Sequence, residues 1–136
     1  MYSHEEFIVF LLAKANQKAQ KMLKQHLKEF GLTPVQGLIL EALFFEDGLT
    51  AGEIGKRLIL DNATVSGVLD RLAEAGWVHK TQDAEDRRVL RVVLADKAKD
   101  NAEEMMVARN QTAEALLRTF SSEEQVLLKR LLRDLY

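Results

Sequence analysis

Small polar side chains cluster at the start of one short helical pattern, Asp61–Gly76, and they are of the types that contact nucleic acids. Asn62, Thr64 and Ser66 can hydrogen-bond phosphates or base edges, and Thr64 can also offer its methyl group to a thymine methyl. Backbone amides at the start of a helix attract phosphate through the helix dipole. Arg71 has the reach for a base or the DNA backbone, or for an ion pair on its own helix. The spacing therefore predicts a helix whose N-terminal half enters the major groove.

A charged loop, Gln82–Arg88, follows that helix between two runs that favour β-strands, Trp77–Thr81 and Val89–Leu94. Arg87 and Arg88 stand side by side at its end. A hairpin with a charged tip beside a groove-reading helix is the arrangement of a winged helix-turn-helix. The alternative is a winged-helix adaptor that binds another protein and not DNA, which the paired arginines and the polar helix start disfavour.

Start and stop signals place the helices that position these groups. Thr33-Pro34-Val35-Gln36 combines an N-cap, a proline at the first helical position and a capping-box partner, so a helix begins there and ends before Asp47-Gly48. Thr50 and Glu53 form a second capping-box pattern, which predicts the start of another, shorter helix. Gly52 and Gly55 are expected to permit close packing there, since glycine costs roughly 1 kcal/mol in a helix and needs a reason.

The helical pattern with the polar start has a buried side and an outward side. Asp61 or Asn62 caps it, and Gly76 suits its C-terminal end. The apolar residues that recur at helical spacing predict the buried stripe: Val65, Val68, Leu69 and Leu72. The residues on the opposite side are expected to face outward: Ala63, Ser66, Gly67 and Asp70.

Capping signals also predict helices at both ends of the chain. Ser3–Glu6 fits a capping box, so a helix is expected to begin near His4 and to end at Gly31. Asp96 is expected to cap a long helix through about Arg118, and Ser121–Glu124 gives a box for the last helix. The fold class is mainly α (α+β).

The terminal helices carry more apolar surface than a small domain can cover alone. Pairing with a second copy would bury it, and DNA half-sites commonly demand a two-fold dimer. An intramolecular bundle is the alternative. We therefore predict dimerisation helices over residues 1–31 and 97–136, and a DNA-binding winged helix-turn-helix over residues 32–96.

Overall composition narrows the class of protein. A net charge of −2 is not typical of a nucleic-acid-binding protein. Between Thr50 and Ala95 there are seven basic and seven acidic residues. A DNA-binding face therefore requires the basic side chains to lie together on one side of the fold. No apolar run approaches the length of a membrane span, and the N-terminus lacks the basic region of a signal peptide. We therefore expect a cytoplasmic protein without a membrane partner.

Enzymatic and metal chemistry find little support. The chain has no Cys, which excludes disulfides, thiolate metal sites and thiol redox switching. It has no glycine-rich phosphate loop and no nucleophile motif. A metal site that combines His4, His26 or His79 with carboxylates across subunits is an alternative without a specific pattern. We predict a protein that is not an enzyme and has no cofactor or metal.

Several motifs together resemble the MarR family of bacterial transcriptional regulators. The segments that carry the resemblance are Leu32-Thr33-Pro34-Val35-Gln36, Leu49–Ile54, Thr64-Val65-Ser66, Asp70-Arg71-Leu72, Gly76-Trp77-Val78, Asp83–Arg88 and Leu94–Lys97. The resemblance covers essentially the whole chain, residues 1–136. It implies a single domain that forms a homodimer and binds a near-palindromic operator, usually repressing nearby genes.

The resemblance also implies roles for particular residues and for a ligand. It makes Arg88 the side chain that reaches into the minor groove and Asp86 the carboxylate that orients the wing. Both roles are physically reasonable, because a narrow groove concentrates negative potential and a nearby carboxylate can fix a guanidinium. Many relatives release DNA when a small, often phenolic or anionic, ligand binds between the dimerisation and DNA-binding regions. An aromatic acid, a drug-like cation, a lipid and no ligand all remain open here, as do repression and activation.

The chain departs from the family pattern in three places. Gly67 stands where a larger, often basic, residue is common, which removes a side chain from the recognition helix. Ala95 and Ala98 replace a Thr and a Gly that are frequent after the second strand. The absence of Cys excludes the family's sensing by thiol oxidation.

Overall fold

The helix-turn-helix begins at Thr33, where the predicted capping box closes. Thr33 Oγ1 accepts a hydrogen bond from the Gln36 amide at 3.3 Å, and Gln36 Oε1 accepts one from the Thr33 amide at 2.9 Å. The helix that follows is α2 (Pro34–Phe45). Before it come α1 (Ile8–Leu27) and a 3₁₀ turn, Lys28–Phe30.

Two compact units are visible in the computed structural model, which describes residues 3–136. We call Leu27–Val107 the winged unit. We call the remainder, residues 3–26 together with Ala108–Tyr136, the terminal unit.

The helix-turn-helix of the winged unit continues with α3 (Ala51–Leu58) and α4 (Asn62–Glu74). A Cβ added to Gly55 would lie 3.0 Å from the carbonyl oxygen of Leu60, so the expectation that this glycine permits close packing is confirmed. The same expectation is wrong for Gly52, where the nearest atom to an added Cβ is a side-chain oxygen at 3.9 Å. Ile59 ends α3 with a φ of 55°, a left-handed conformation that a β-branched residue rarely adopts.

A three-stranded antiparallel sheet completes the winged unit. Its strands are β1 (Leu49–Thr50), β2 (Val78–Gln82) and β3 (Leu90–Leu94), in the order β1-β3-β2. The pairing of Val78 with Leu94 and of Gln82 with Leu90 sets the register of the hairpin, so its loop occupies residues 83–89. The predicted winged helix-turn-helix is confirmed, and the short strand β1 is an addition.

The winged unit has a closed apolar core. Its largest fully buried side chains come from α2, α3, α4 and the three strands: Ile39, Leu40, Leu43, Leu49, Ile54, Val65, Leu69, Leu72, Val78 and Val92. The unit reaches beyond the predicted DNA-binding region of 32–96 because its neighbours along the chain also pack. A Cβ on Gly37 would lie 2.7 Å from a methyl carbon of Leu27, and Ala98 and Met105 are buried.

Helix α5 (Asp96–Leu117) starts one residue earlier than the capping prediction placed it. The carbonyl of Ala95 accepts the hydrogen bond from the Lys99 amide, so Ala95 takes the cap position and Asp96 lies in the first turn. The prediction that Asp96 is the cap is therefore wrong. Its carboxylate can still favour the positive end of the helix dipole.

Helices α1 and α5, with α6 (Ser122–Arg133), supply the terminal unit. The predicted box at Ser121 and Glu124 closes, with bonds of 3.2 and 2.9 Å. The box predicted for Ser3 and Glu6 does not form. Ser3 accepts instead from the amide of Glu5, a 3₁₀ turn follows, and the α-helix begins only at Ile8.

The terminal unit leaves most of its large apolar side chains in solvent. We call these the exposed apolar set: Phe7, Ile8, Val9, Leu11, Leu12, Phe120, Val126, Leu127, Leu131, Leu132, Leu135 and Tyr136. Among the described residues of this unit, only Ala108 and Thr112 are buried. Thr112 Oγ1 lies 2.5 Å from His26 Nδ1 and also bonds the Ala108 carbonyl. No helix within residues 3–136 is long and apolar enough to cross a membrane.

Candidate nucleic-acid interface

The N-cap of helix α4, Asp61, hydrogen-bonds one of the predicted contact residues, Thr64. Asp61 Oδ1 accepts from the Thr64 amide at 2.7 Å, and Asp61 Oδ2 accepts from the Thr64 hydroxyl at 2.8 Å. These bonds from Thr64 hold the pKa of the Asp61 carboxyl below its usual range. The only proton of the Thr64 hydroxyl is therefore already donated. What Thr64 can still offer to a partner is an oxygen lone pair and its methyl group.

The predicted faces of α4 are those of the structure. The buried stripe comprises Val65, Val68, Leu69 and Leu72. On the opposite side, Ala63, Gly67 and Asp70 follow one another at helical spacing. A Cβ added to Gly67 would meet nothing within 4 Å. The outermost face of the helix therefore carries no side chain beyond a methyl group until the acid at Asp70.

The remaining predicted residues of α4 lie on its shoulders and are exposed. Ser66, which the sequence pattern places on the outward face, lies instead with Asn62 on one side of it, and Arg71 is on the other side. Within residues 3–136, Arg71 forms no ion pair with Asp70 or Glu74, so its guanidinium is not used by its own helix. Asp70 pairs instead with Lys80 of β2, which partly neutralises this acid on the outermost face of the helix.

The loop between β2 and β3 is organised by Asp83, which sequence reasoning did not single out. Asp83 Oδ2 accepts from the amides of Glu85 (3.1 Å) and Asp86 (3.0 Å), while Oδ1 accepts from Arg91 Nε at 2.6 Å. The hydrogen bond from Arg91, and then that from the Asp86 amide, lower the pKa of this carboxyl. A carboxylate that accepts from amides two and three residues later is an Asx turn, so an Asp opening a charged loop was the available signal.

Arg91 links this loop to the turn before β1. Its Nη1 donates to the carbonyl of Gly48 at 2.9 Å and lies 4.0 Å from Glu53 Oε1. We call Asp83, Arg91 and the Gly48 carbonyl the wing clamp. No local pattern predicts the link to Gly48, because it depends on the sheet register that pairs Thr50 with Arg91.

Asp86 and Arg88 form the pair expected of them. Arg88 Nε and Nη2 donate to the two carboxylate oxygens of Asp86 at 3.0 and 3.1 Å, and the Arg88 amide donates to Oδ1 as well. The pair lowers the pKa of Asp86 and raises that of Arg88. The Arg88 side chain is nevertheless 90% exposed. A guanidinium has five N–H donors, so three remain for a partner while Asp86 limits its rotamers.

The winged unit has a net negative charge, although several basic side chains lie together at the candidate interface. Its residues, 27–107, carry ten Lys and Arg against fifteen Asp and Glu, a net of −5. Arg71, Arg87 and Arg88 are exposed at the candidate interface, where Lys80 offsets Asp70. Within the described residues, no group of three or more His, Asp or Glu is placed to hold a metal ion.

A family model and several named transcriptional regulators match this chain in sequence. The MarR family model matches residues 32–90. The uncharacterized HTH-type transcriptional regulator YwoH of Bacillus subtilis is 33% identical over 126 residues, which cover 90% of this chain and 91% of that protein. SarZ of Staphylococcus saprophyticus is 32% identical over 71% of this chain and 66% of its own length. The chain thus spans slightly less than two thirds of SarZ. The repressor MdtR of B. subtilis is 29% identical, covering 82% and 71%.

Solved structures share the whole fold. BpsR of Bordetella bronchiseptica, whose DNA binding is regulated by 6-hydroxynicotinic acid, matches with a TM-score of 0.91 at 27% identity, covering 99% of this chain and 96% of that one. A mutant of Escherichia coli MarR in complex with operator DNA matches with a TM-score of 0.84 at 25% identity, covering 92% and 90%.

Proposed function

Because the chain belongs to the MarR family of transcriptional regulators, we propose that it is a homodimer that binds a near-palindromic operator in double-stranded DNA. Helix α4 enters the major groove, with Asn62, Thr64, Ser66 and Arg71 as its contact residues. The wing lies along the adjacent minor groove. We also propose that the protein is not an enzyme, because its relatives are named as transcriptional regulators and its sequence has no catalytic motif.

The observation that carries this proposal is the exposed, pre-oriented guanidinium of Arg88. Asp86 holds it by two bonds, and three donors still face solvent. A narrow minor groove concentrates negative potential and favours an inserted arginine. Arg87 next to it is exposed and suits the flanking phosphates.

The exposed apolar set of the terminal unit supports the homodimer. Twelve large apolar side chains in one small unit exceed what isolated surface residues explain, and such a surface marks an interaction site. A second copy of the same unit offers an equally apolar surface. Two-fold pairing of this kind places two recognition helices on the two halves of a palindrome.

We further propose repression and release by a small molecule. The support is the relationship to the repressor MdtR and to BpsR, whose DNA binding responds to 6-hydroxynicotinic acid. The test is a gel-shift titration on the gene's own upstream region with small aromatic acids added. Release of DNA at a defined acid concentration is the expected result, and unchanged binding with every acid would contradict this part of the proposal.

Arg88→Ala tests the DNA-binding assignment. Operator affinity should fall by at least about 1 kcal/mol, roughly fivefold, in a gel-shift titration. The melting temperature should not change, because the side chain is almost fully exposed. Arg118→Ala, which removes an equal charge from an exposed position outside the winged unit, is the matched control and should bind normally.

Salt dependence separates DNA binding from the adaptor alternative, which the net charge of the winged unit favours. Binding that weakens as salt rises is the signature of phosphate contacts, whatever the size of the slope. If the wild-type protein binds no upstream DNA even at low salt, the adaptor becomes the better reading of the fold.

A further inference from the structure

The outermost face of α4 is unusual for a helix that reads DNA, because methyl groups and open space replace polar side chains. Ala63 presents only a methyl group, and Gly67 presents nothing within 4 Å of where a Cβ would be. The Thr64 hydroxyl proton is donated to Asp61, so Thr64 can offer a partner its methyl group and an accepting oxygen but no hydrogen-bond donor. Such a face can approach the floor of the major groove closely.

The chemistry that suits this face is the C5-methyl group of thymine. Alanine and the threonine methyl make apolar contacts with it, and each buried methyl contributes favourably. Asn62 is exposed beside them and can pair with the N6 and N7 edge of adenine. Both residue types therefore recognise A·T pairs.

The side chains that read guanine are missing from the same part of the helix. Arginine and lysine make the commonest specific contact with guanine, through O6 and N7. Arg71 is the only basic residue of α4, and it lies on a shoulder in the C-terminal half. The wing adds a second preference, since Arg88 is suited to the narrow minor groove that A·T tracts form.

We propose that the operator half-site is A·T-rich and that α4 reads thymine methyl groups there through Ala63 and Thr64, beside the minor-groove contact of Arg88 that belongs to the proposed function. This inference rests on the proposed function as a DNA-binding regulator. It adds the base composition of the site and the atoms that are recognised.

Replacing thymine by deoxyuridine tests the major-groove part. The footprinted duplex is resynthesised with one symmetric pair of thymines at a time changed to uracil, which removes the C5-methyl and keeps the pairing edges. Affinity should fall by about fourfold for each contacted methyl. In Ala63→Gly, that loss should disappear at the thymine facing residue 63, while Ala75→Gly at the far end of α4 should leave it unchanged.

Inosine tests the wing part, because an inosine–cytosine pair has no N2 amino group in the minor groove. Changing the wing-facing A·T pairs to G·C should weaken binding, and changing them to inosine–cytosine should leave it within about twofold of the original. Arg88→Ala should bind all three duplexes equally.

These experiments distinguish a failure of A·T recognition from a failure of DNA binding itself. Failure to bind any duplex would overturn the proposed function and the inference together. Salt-sensitive, footprinted binding in which every thymine tolerates uracil, or in which the protected half-sites are G·C-rich, would overturn the inference alone.

Discussion

The winged unit and the terminal unit bury their apolar residues to very different extents. The winged unit contains all ten of the largest fully buried side chains. The terminal unit buries only Ala108 and Thr112 among its described residues and leaves the twelve members of the exposed apolar set in solvent. The first unit therefore has a core of its own. The second has no such core, and we expect a partner surface to cover it, because burial of apolar area is the main term that favours folding.

The two units also differ in charge, in the direction opposite to the expectation for a DNA-binding region. The winged unit has a net charge of −5, whereas the terminal unit, with nine basic and six acidic residues, has +3. Bulk attraction to DNA therefore does not come from the unit that carries the recognition helix. In the proposed function, individual arginines of the winged unit supply the phosphate and groove contacts, so few counterions should be released and the salt slope should be modest.

The largest effect is expected where the terminal unit is made polar. Leu127→Glu combined with Leu131→Glu places two charges in the exposed apolar set and should abolish the dimer in light scattering. Operator affinity should fall at least about a hundredfold, because two linked half-sites bind far better than one. Leu90→Glu, at a residue of the winged unit with similar exposure, is the control for dimerisation and should leave the dimer intact in light scattering. A stable dimer in the double variant would show that the exposed apolar set of the terminal unit is not the dimer interface.

Within the winged unit, two glycines of α3 should respond in opposite directions to alanine. Gly55→Ala should lower the free energy of unfolding by about 1–3 kcal/mol, since the new methyl meets the Leu60 carbonyl. Gly52→Ala should raise it by about 0.5–1 kcal/mol, since the site is open and alanine favours helix. Urea unfolding measures both. Equal effects would show that the core is less tightly closed than these contacts indicate.

Ile59→Gly should stabilise the winged unit slightly, by about 0.5 kcal/mol. The left-handed conformation at this position is costly for a β-branched side chain, and the side chain is 65% exposed, so little burial is lost. Ile59→Val keeps the β-branch and should leave stability unchanged in the same unfolding experiment. A destabilised Ile59→Gly would mean that this side chain contributes packing beyond its exposed fraction.

The smallest effect concerns the wing clamp and pH. Because the folded-state pKa of Asp83 lies below its ordinary value of 3.8, the clamp is fully formed above that pH and is lost as the pH falls through the lowered pKa. NMR signals of the Glu85 and Asp86 amides should report a transition below pH 3.8, with no global unfolding step of its own. The transition should be absent in Asp83→Asn. A midpoint at or above the ordinary value would show that Arg91 does not hold the carboxylate.

Structural features that involve only residues close together in the chain could be predicted from the sequence. The boxes at Thr33 and Ser121 formed because cap and partner are three residues apart and need no other element. The two faces of α4 followed from the helical period, which made its exposed polar residues identifiable. The box at Ser3 failed although its pattern was the same, because a 3₁₀ turn and an extended Phe7 precede the first α-helix.

Features made by distant residues were not accessible in this way. Arg91 and Gly48 are 43 positions apart, and the strand register alone brings them together. Lys80 reaches Asp70 because the hairpin returns along α4, which no periodicity in either segment reveals.

The sequence by itself determined the class of fold, the position of the recognition helix and the arginines of the wing, because these depend on caps, periods and residue types within short stretches. Only the tertiary structure decided that the Thr64 hydroxyl is already committed, that Gly67 opens onto free space and that a clamp from Asp83 through Arg91 holds the wing. The reason is physical. Hydrogen-bond partners and free volume depend on distances between side chains in space, and packing of the whole winged unit sets those distances.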